Sequence, residues 1–414
     1  MKSKKTRIVI LGGGFGGVYT YKSLHKYLHK NPDGEIIMVS KTNHFLFTPL
    51  LHEVATGNQE PTNITEPLRK IVGCCLSEFY MTQAHSVDPQ KKILITDAGN
   101  IPYDILVLTP GAKTNFFGCE GAEEHCFTLK NLQDALTLKN RCIDIFEEAS
   151  KTSAEEQKQL LSFSIIGGGP TGVELCAEMA ELFYETFATY YPKKLIDNIT
   201  LRLIQSGKSL VPMFPEYFQS YSRKTLEEKH VHLMLNTKVT SITQESFTLN
   251  TGEIIPSHTH IWVAGIQPQS IDFLTPIEKN DRGQIKVNST LQSHTYPEIF
   301  VIGDSAEFQD IHGNILPATA QVATRQAKNV GKNIALYIKK EPLENFHYTH
   351  SGDLLSLGKW HALGHVMGKN FSGKFAWWLW RSIYLMKLIS FNKKMRVALS
   401  WTLDIFSKRD ISKI

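Results

Sequence analysis

Short apolar runs rich in β-branched residues recur along the chain, and most of them end in glycine. The first, Arg7-Ile-Val-Ile-Leu11, is followed by a helix-like stretch over about 16–30 and a second apolar run at 35–40. That order predicts a βαβ unit with two parallel strands. The pattern returns after Leu161: Phe163-Ser-Ile-Ile166 opens a second unit, and residues 199–204 form its next strand. Residues 101–111 predict one buried strand ending in glycine, and residues 259–265 and 298–304 predict two more. Residues 130–149 predict a helix, and 314–340 a loop leading into a helix. The repeat is the βαβ unit itself, used twice.

The turns between strand and helix carry the chemistry. The first reads Gly12-Gly-Gly-Phe-Gly-Gly17 and the second Gly167-Gly-Gly-Pro-Thr-Gly172, so both are G-x-G-x-x-G. Gly12 and Gly167 allow the tight bend, Gly14 and Gly169 let the backbone approach a pyrophosphate, and Gly17 and Gly172 let helix pack on strand. The pyrophosphate then sits against helix N-terminal amides, where the dipole favours negative charge. Two such turns imply two dinucleotides on one chain. The usual reason for that is to pass electrons between them.

The 414 residues suffice for two or three domains. Six Cys show neither C-x-x-C nor zinc spacing, so they read as reduced structural thiols and no metal is expected. The polar start, Met1 to Arg7, has no apolar signal region, so export is not expected. No apolar run reaches 18 residues, so no spanning helix is expected either. The net charge of +5 is unevenly placed: from Gly368 on, ten Lys and Arg face two Asp, which leaves −3 for the rest. A local excess calls for a local partner, not nucleic acid. Residues 374–391, with three Trp, are too apolar for a solvated helix and too interrupted by charge for a spanning one. In the next helix Met395, Ala398, Leu399, Thr402, Ile405 and Phe406 fall on one face, and Lys393, Arg396, Ser400, Asp404, Ser407 and Lys408 on the other. Trp rings at the headgroup level with flanking cations mark an interfacial helix. Residues 370–414 are therefore expected to meet a lipid bilayer surface. A helix pair packed on its own globular body or on a homodimer partner is the alternative.

The order of these units resembles the two-dinucleotide flavoprotein disulfide reductase superfamily. That resemblance implies an α/β fold of two Rossmann-like dinucleotide-binding domains, the second inserted in the first, plus a C-terminal amphipathic helical membrane-binding segment. The expected bounds are 1–115 and 269–345 for FAD, 116–268 for NAD(P)H, and 346–414 for membrane association. Within the superfamily, Lys41-Thr-Asn-His-Phe-Leu-Phe-Thr-Pro-Leu-Leu-His-Glu-Val-Ala-Thr-Gly57 closely resembles a stretch of type II NADH dehydrogenases. So do Lys113 to Gly118, Lys130 to Ala135, Thr171 to Leu175, Trp262 to Gly265 and Leu316 to Ala323. The resemblance implies a non-proton-pumping NADH:quinone oxidoreductase of a respiratory chain, holding FAD at the cytoplasmic face of the inner (plasma) membrane.

Carried onto this chain, the resemblance implies FAD contacts from Gly12, Gly14, Phe15, Gly16, Gly17, Ser40, Lys41, Thr48, Pro49 and Gly111. Asp304, after Gly303, would accept hydrogen bonds from the ribityl hydroxyls. Ala320 and Gln321, at a helix start, would face the pyrimidine end of the flavin and the quinone. NAD(P)H would meet Gly167, Gly169, Pro170, Thr171, Gly172, Gln205, Ala264 and Gly265. Glu174 would position the nicotinamide or supply a proton; an ordinary first-turn Glu is the plainer reading. Three positions depart from the family pattern. Ser40 and Gln205 stand where ribose-binding acids are usual, and Arg325 stands where a second Gln often does. Gln205 does not repel a 2′-phosphate, and Ser206 and Lys208 could approach one, so tolerance of NADPH beside NADH is expected. No Cys lies in 40–57, the adjacent Cys74-Cys75 pair lacks dithiol spacing, and none follows Cys176, so electrons are expected to leave the flavin directly for a quinone acceptor. The alternatives are a soluble FAD-dependent NAD(P)H oxidase or ferredoxin-type reductase, in which Trp377, Trp378 and Trp380 pack internally, and a nucleotide-sensing binding module.

Overall fold

A computed structural model describes residues 5–29, 34–73 and 77–413. Cys74 and Cys75 lie outside the described residues. The chain forms two compact units. The first is Met1–Leu46, Thr65–Lys113 and Ile266–His350; the second is Phe47–Ile64, Thr114–Gly265 and Ser351–Ile414.

In chain order, the elements that position the site begin with β1 (Thr6–Leu11), α1 (Phe15–Leu28), β2 (Gly34–Ser40) and α2 (Leu51–Ala55). Then come β3 (Ser77–Met81), β4 (Ile105–Leu108), β5 (Cys126–Phe127), α3 (Leu132–Ala149), β6 (Ser162–Ile166) and α4 (Pro170–Glu181). After them are β7 (Thr200–Ile204), β8 (His232–Met234), β9 (Thr259–Trp262), β10 (Ile299–Val301) and α5 (Ala320–Lys339). The chain closes with β11 (Asp353–Ser356), β12 (Ala362–Val366), β13 (Lys369–Ser372), α6 (Gly373–Lys387) and α7 (Phe391–Leu403).

The first unit is built on a parallel sheet in the order β10-β4-β1-β2-β3. Its central strands are apolar without alternation because helices and loops cover both faces; Ile8, Val9, Ile105 and Leu106 are fully buried. Helix α1 crosses α5 at close range: the Ser23 hydroxyl donates to the Lys328 carbonyl at 3.0 Å. A Cβ at Gly331 would lie 2.4 Å from the Ser23 side chain, so only glycine lets the two helices approach this far. Residues 101–111 do not form one strand. An antiparallel strand, Gly99–Pro102, ends at Pro102 and β4 begins at Ile105. Pro102 has no N–H to extend the ladder. The Asp104 carboxylate takes the Arg7 N–H (2.7 Å) and the Asp104 N–H donates to the Arg7 carbonyl (2.8 Å), which turns the chain between the two strands.

The second unit repeats the plan with the parallel order β5-β9-β6-β7-β8. Residues 353–372 add an antiparallel sheet, β11-β12-β13, before the two C-terminal helices. Those helices depart from the interfacial reading in part. Trp377 and Trp380 are 2% and 1% exposed, and Trp401 is buried. Arg381 is buried beside them, its guanidinium 3.7 Å above the Trp377 ring and donating to the Trp401 carbonyl at 3.1 Å. These rings build a core instead of lying at headgroup level, because the ridge they form is the one side of α6 that faces protein. Trp378 and Phe375 remain exposed. On α7 only Val397 and Trp401 turn inward, whereas Met395, Leu399, Leu403 and, just past the helix, Phe406 stay exposed.

Candidate functional site

Both glycine turns stand at the point where the strand order of their sheet reverses, which in open α/β sheets is where ligands bind. In the first unit that point lies between β1 and β4. The Gly12 N–H donates to the Val39 carbonyl (2.8 Å), and the Thr109 N–H to the Leu11 carbonyl (2.9 Å). Gly12 has φ +119°, and a Cβ there would lie 2.0 Å from the Thr109 carbonyl oxygen. Gly16 likewise leaves room for the Thr109 hydroxyl, 2.1 Å from where its Cβ would be. Phe15 opens α1 with its ring edge-on to Phe45 at 5.0 Å. Ser40 ends β2 buried, its Oγ 2.6 Å from where a Gly13 Cβ would stand, and it accepts from the Thr42 N–H; Lys41 beside it is exposed. Gly111 and Gly303 follow β4 and β10, both with positive φ, and the Ser305 hydroxyl reaches the Gly111 carbonyl at 3.4 Å. The Gly303 N–H donates to Gln326 Oε1 at 2.7 Å, and the Asp304 carbonyl accepts from Gln284. Thus Gly12, Gly111, Gly303 and Asp304 meet at one sheet edge. Ala320 and Gln321 open α5 behind the Thr319 cap, and the Tyr348 hydroxyl donates to Gln321 Oε1 at 2.8 Å. Arg325 stacks over the Tyr348 ring.

The second unit reproduces this turn bond for bond. The Gly167 N–H donates to the Ile204 carbonyl (2.8 Å), and the Val263 N–H to the Ile166 carbonyl (2.9 Å). Gly167 has φ +120° and backs onto Ala264, whose Cα would lie 2.5 Å from an added Cβ. Gln205 follows β7, and its Oε1 accepts from the Gly168 N–H at 3.0 Å. Pro170 and Thr171 occupy the first turn of α4. The fit to a dinucleotide rests on two observations. Helices α1 and α4 both follow a glycine, Gly14 and Gly169, that supplies no side-chain cap, the kind of helix start that accommodates an anion. A Cβ at Gly14 or Gly169 would meet nothing within 4 Å, so each turn opens in front of its helix.

Glu174 lies one turn into α4, inside a buried polar cluster of the second unit. It accepts from the Ser356 N–H at 3.1 Å and stands 3.9 Å from His52 Nδ1. Burial pushes its carboxyl up to about 8 against the opposing Ser356 amide, and pushes His52 down to about 3. At neutral pH both are uncharged, so Glu174 holds a proton. Four residues on, Glu178 lies in an ion pair with Arg409 (2.7 Å), which also binds Glu181 (2.8 Å). Lys229 completes the Glu181 site at 2.7 Å. Glu53, raised by burial and then by Glu178, accepts from the Trp401 indole at 2.8 Å. Glu53, Glu178, Glu181, Arg381, Asp404 and Arg409 line a cavity of about 170 Å³. Arg381 Nε and Asp404 Oδ2 have no protein partner there, and the volume is enough for several waters that would satisfy them.

Thr48 and Pro49 form a 3₁₀ turn of the second unit, whereas the other residues carried over for FAD belong to the first. Sequence reasoning missed Thr109, Gln326, His52, Glu53, Arg381 and Arg409. His52 and Glu53 lie inside a segment already singled out. Both arginines belong to the cation excess of the tail, yet Arg409 pairs with Glu178 and Glu181, and Arg381 lies buried on the Trp377 ring and donates to the Trp401 carbonyl, so neither is available to an anionic surface.

Two parallel sheets, each with an open, uncapped glycine turn at its switch point, define a protein that binds two dinucleotides. The chain belongs to the pyridine nucleotide-disulphide oxidoreductase family, whose model matches residues 6–327. Residues 350–410 match the NDH2 C-terminal domain. The chain is 28% identical to the type II NADH:quinone oxidoreductase Ndh of Mycobacterium tuberculosis, covering 98% of this chain and 89% of that protein. It is 29% identical to the type II NADH:quinone oxidoreductase of Haemophilus influenzae, covering 96% of each. In fold it is similar to NDH2 from Plasmodium falciparum solved with NADH (TM-score 0.92, 21% identity, 99% of this chain and 100% of that one). It is less similar to the sulfide:quinone oxidoreductase of Aquifex aeolicus (TM-score 0.75, 20% identity, 97% and 96%).

Replacing Arg409 by Met leaves Glu178 and Glu181 buried without their main counter-charge. We expect a loss of about 3–5 kcal/mol in denaturant unfolding, largely recovered by adding Glu178→Gln and Glu181→Gln. Glu174 has a second signature. Between its ordinary range near 4.5 and about 8, the folded protein keeps a proton that the unfolded chain releases, so stability falls as pH rises through that window. Glu174→Gln removes that slope. Tm measured from pH 5 to 8.5 should move progressively in favour of the variant.

Proposed function

We propose that this protein is an FAD-dependent NADH:quinone oxidoreductase that passes reducing equivalents from NADH to a membrane quinone without pumping protons. The observation that carries the reading is the duplicated open glycine turn on a chain whose residues 350–410 match the NDH2 C-terminal domain. FAD, when bound, supplies hydride acceptance from NADH and electron delivery to the quinone. The turns at Gly12–Gly17 and Gly167–Gly172 would hold the two pyrophosphates against helix N-termini. Asp304 would take the ribityl hydroxyls, and Ser40 and Gln205 the two adenosine riboses. Gln321, whose Oε1 accepts from the Tyr348 hydroxyl, would face the flavin and quinone. Glu174 keeps a proton at its carboxyl ready for the reduced quinone or orients the nicotinamide, and its burial supports the first of these roles. NADPH is tolerated because Gln205 carries no charge against a 2′-phosphate.

A lipophilic acceptor reaches the flavin from a bilayer. The exposed apolar edge of Met395, Leu399, Leu403 and Phe406, with Lys394 and Arg396 beside it, supports docking of the C-terminal helices on an anionic membrane surface. No helix among the described residues is long and apolar enough to cross a membrane. We assign that surface to the cytoplasmic face of the inner membrane, and the same edge is compatible with a homodimer. The internal packing of Trp377 and Trp380 favours the alternative, a soluble NAD(P)H oxidase or ferredoxin-type reductase.

Two measurements separate these readings. Under anaerobic conditions the flavin band of the purified protein bleaches on adding NADH and returns on adding a short-chain quinone; bleaching without return excludes the quinone. On flotation, the protein rises with vesicles containing anionic lipid, and Leu399→Asp with Phe406→Asp leaves it in the soluble fraction while NADH still bleaches the flavin. A wild-type protein that never floats supports the soluble enzyme.

A further inference from the structure

The loop Asn115–Gly118 holds an aromatic residue where backbone chemistry disfavours one. Phe117 has φ +50° and Gly118 φ +68°, and the Cys119 N–H donates to the Phe116 carbonyl at 2.9 Å. Two successive positive φ values inside such a bond are the pattern of a type I′ turn, whose first central position favours Asn, Asp or Gly. A bulky side chain there is strained, and strain of this kind persists only where the surroundings impose it. Here they do. The Phe117 N–H donates to Asn115 Oδ1 (2.8 Å), the Asn115 N–H to the Gly265 carbonyl (3.0 Å), and the Trp262 indole N–H to the Asn115 carbonyl (2.9 Å). Phe116, the preceding residue, packs on Trp262 with ring centroids 5.7 Å apart. The turn is therefore clipped rigidly to the end of β9. It presents a Phe117 side chain that is 62% exposed, an arrangement with no benefit to the core.

The position of that ring indicates its use. It covers Gly265, where an added Cβ would lie 2.4 Å from the ring carbons. Gly265 lies three residues past the end of β9, and Ala264 beside it backs the first glycine of the nucleotide turn. The strand order β5-β9-β6-β7-β8 reverses between β9 and β6, so a dinucleotide lies across the crevice between them. Gln205 on the β7 side would take the adenosine half. The half that extends over β9 carries the nicotinamide.

We propose that Phe117 is a positioning residue for the nicotinamide half of the bound dinucleotide: a pre-set aromatic wall over Gly265 against which that half packs. The inference rests on the reading that the second unit holds NADH. Strain in the turn holds the ring in place before the ligand arrives, so binding does not have to order it.

The test compares wild-type holoenzyme, Phe117→Gly and Phe117→Tyr. Glycine suits the positive φ, so Phe117→Gly should unfold at the wild-type temperature or above it. Its KM for NADH should rise about tenfold, as expected for the loss of an aromatic packing partner, while the KM for quinone stays within about twofold. ADP-ribose, which lacks the nicotinamide, should inhibit both proteins with inhibition constants within about twofold of each other. Phe117→Tyr should retain the wild-type KM for NADH. An unchanged KM for NADH in Phe117→Gly overturns the proposal, as does an ADP-ribose constant that weakens as much as the KM for NADH. A wild-type protein that neither oxidises NADH nor is inhibited by ADP-ribose overturns instead the assignment of the second unit to a dinucleotide.

Discussion

The structure depends on how closely a helix can approach the turn that starts it. A Cβ at Gly17 would lie 1.8 Å from the Gly12 carbonyl oxygen, and a Cβ at Gly172 would lie 1.9 Å from that of Gly167. No other residue fits either place without pushing the helix off its sheet. With glycine there, α1 and α4 begin close above the strand ends, beside the crevice where the strand order reverses. The bend, the uncapped helix start and the open space beyond Gly14 and Gly169 all follow from this one contact. Because the same contact is made twice, the chain has two sites of one design.

A second constraint is electrostatic. Helix α4 places Glu174, Glu178 and Glu181 inside the second unit, where unpaired carboxylates would be costly. The C-terminal segment supplies the remedy: Arg409 pairs with Glu178 and Glu181, and the Trp401 indole donates to Glu53. Glu174 receives no cation and stays protonated, which is the state a proton donor needs at neutral pH. The tail thus has two sides with different duties. One side closes a polar interior, and the other leaves Leu399, Leu403 and Phe406 uncovered.

The sequence by itself determined the βαβ repeat, the parallel strands and the residues of both glycine turns. Each of these is local: β-branched runs, the G-x-G-x-x-G spacing and the helix that follows span a few dozen consecutive residues. Charge counting also located the basic tail. What the tail does could not be read there, because Arg381 and Arg409 are indistinguishable in sequence from surface cations. Only the tertiary structure decided that Arg409 pairs with acids on α4, more than two hundred residues earlier, and that Arg381 is buried against Trp377 and Trp401. It likewise decided which Trp rings are core and which are surface, since that depends on the one face of α6 that protein covers. The break at Pro102 and Asp104, and the strained Phe117 turn against Gly265, were decided by hydrogen bonds between segments far apart in the chain. Periodicity along the sequence carries no record of such bonds.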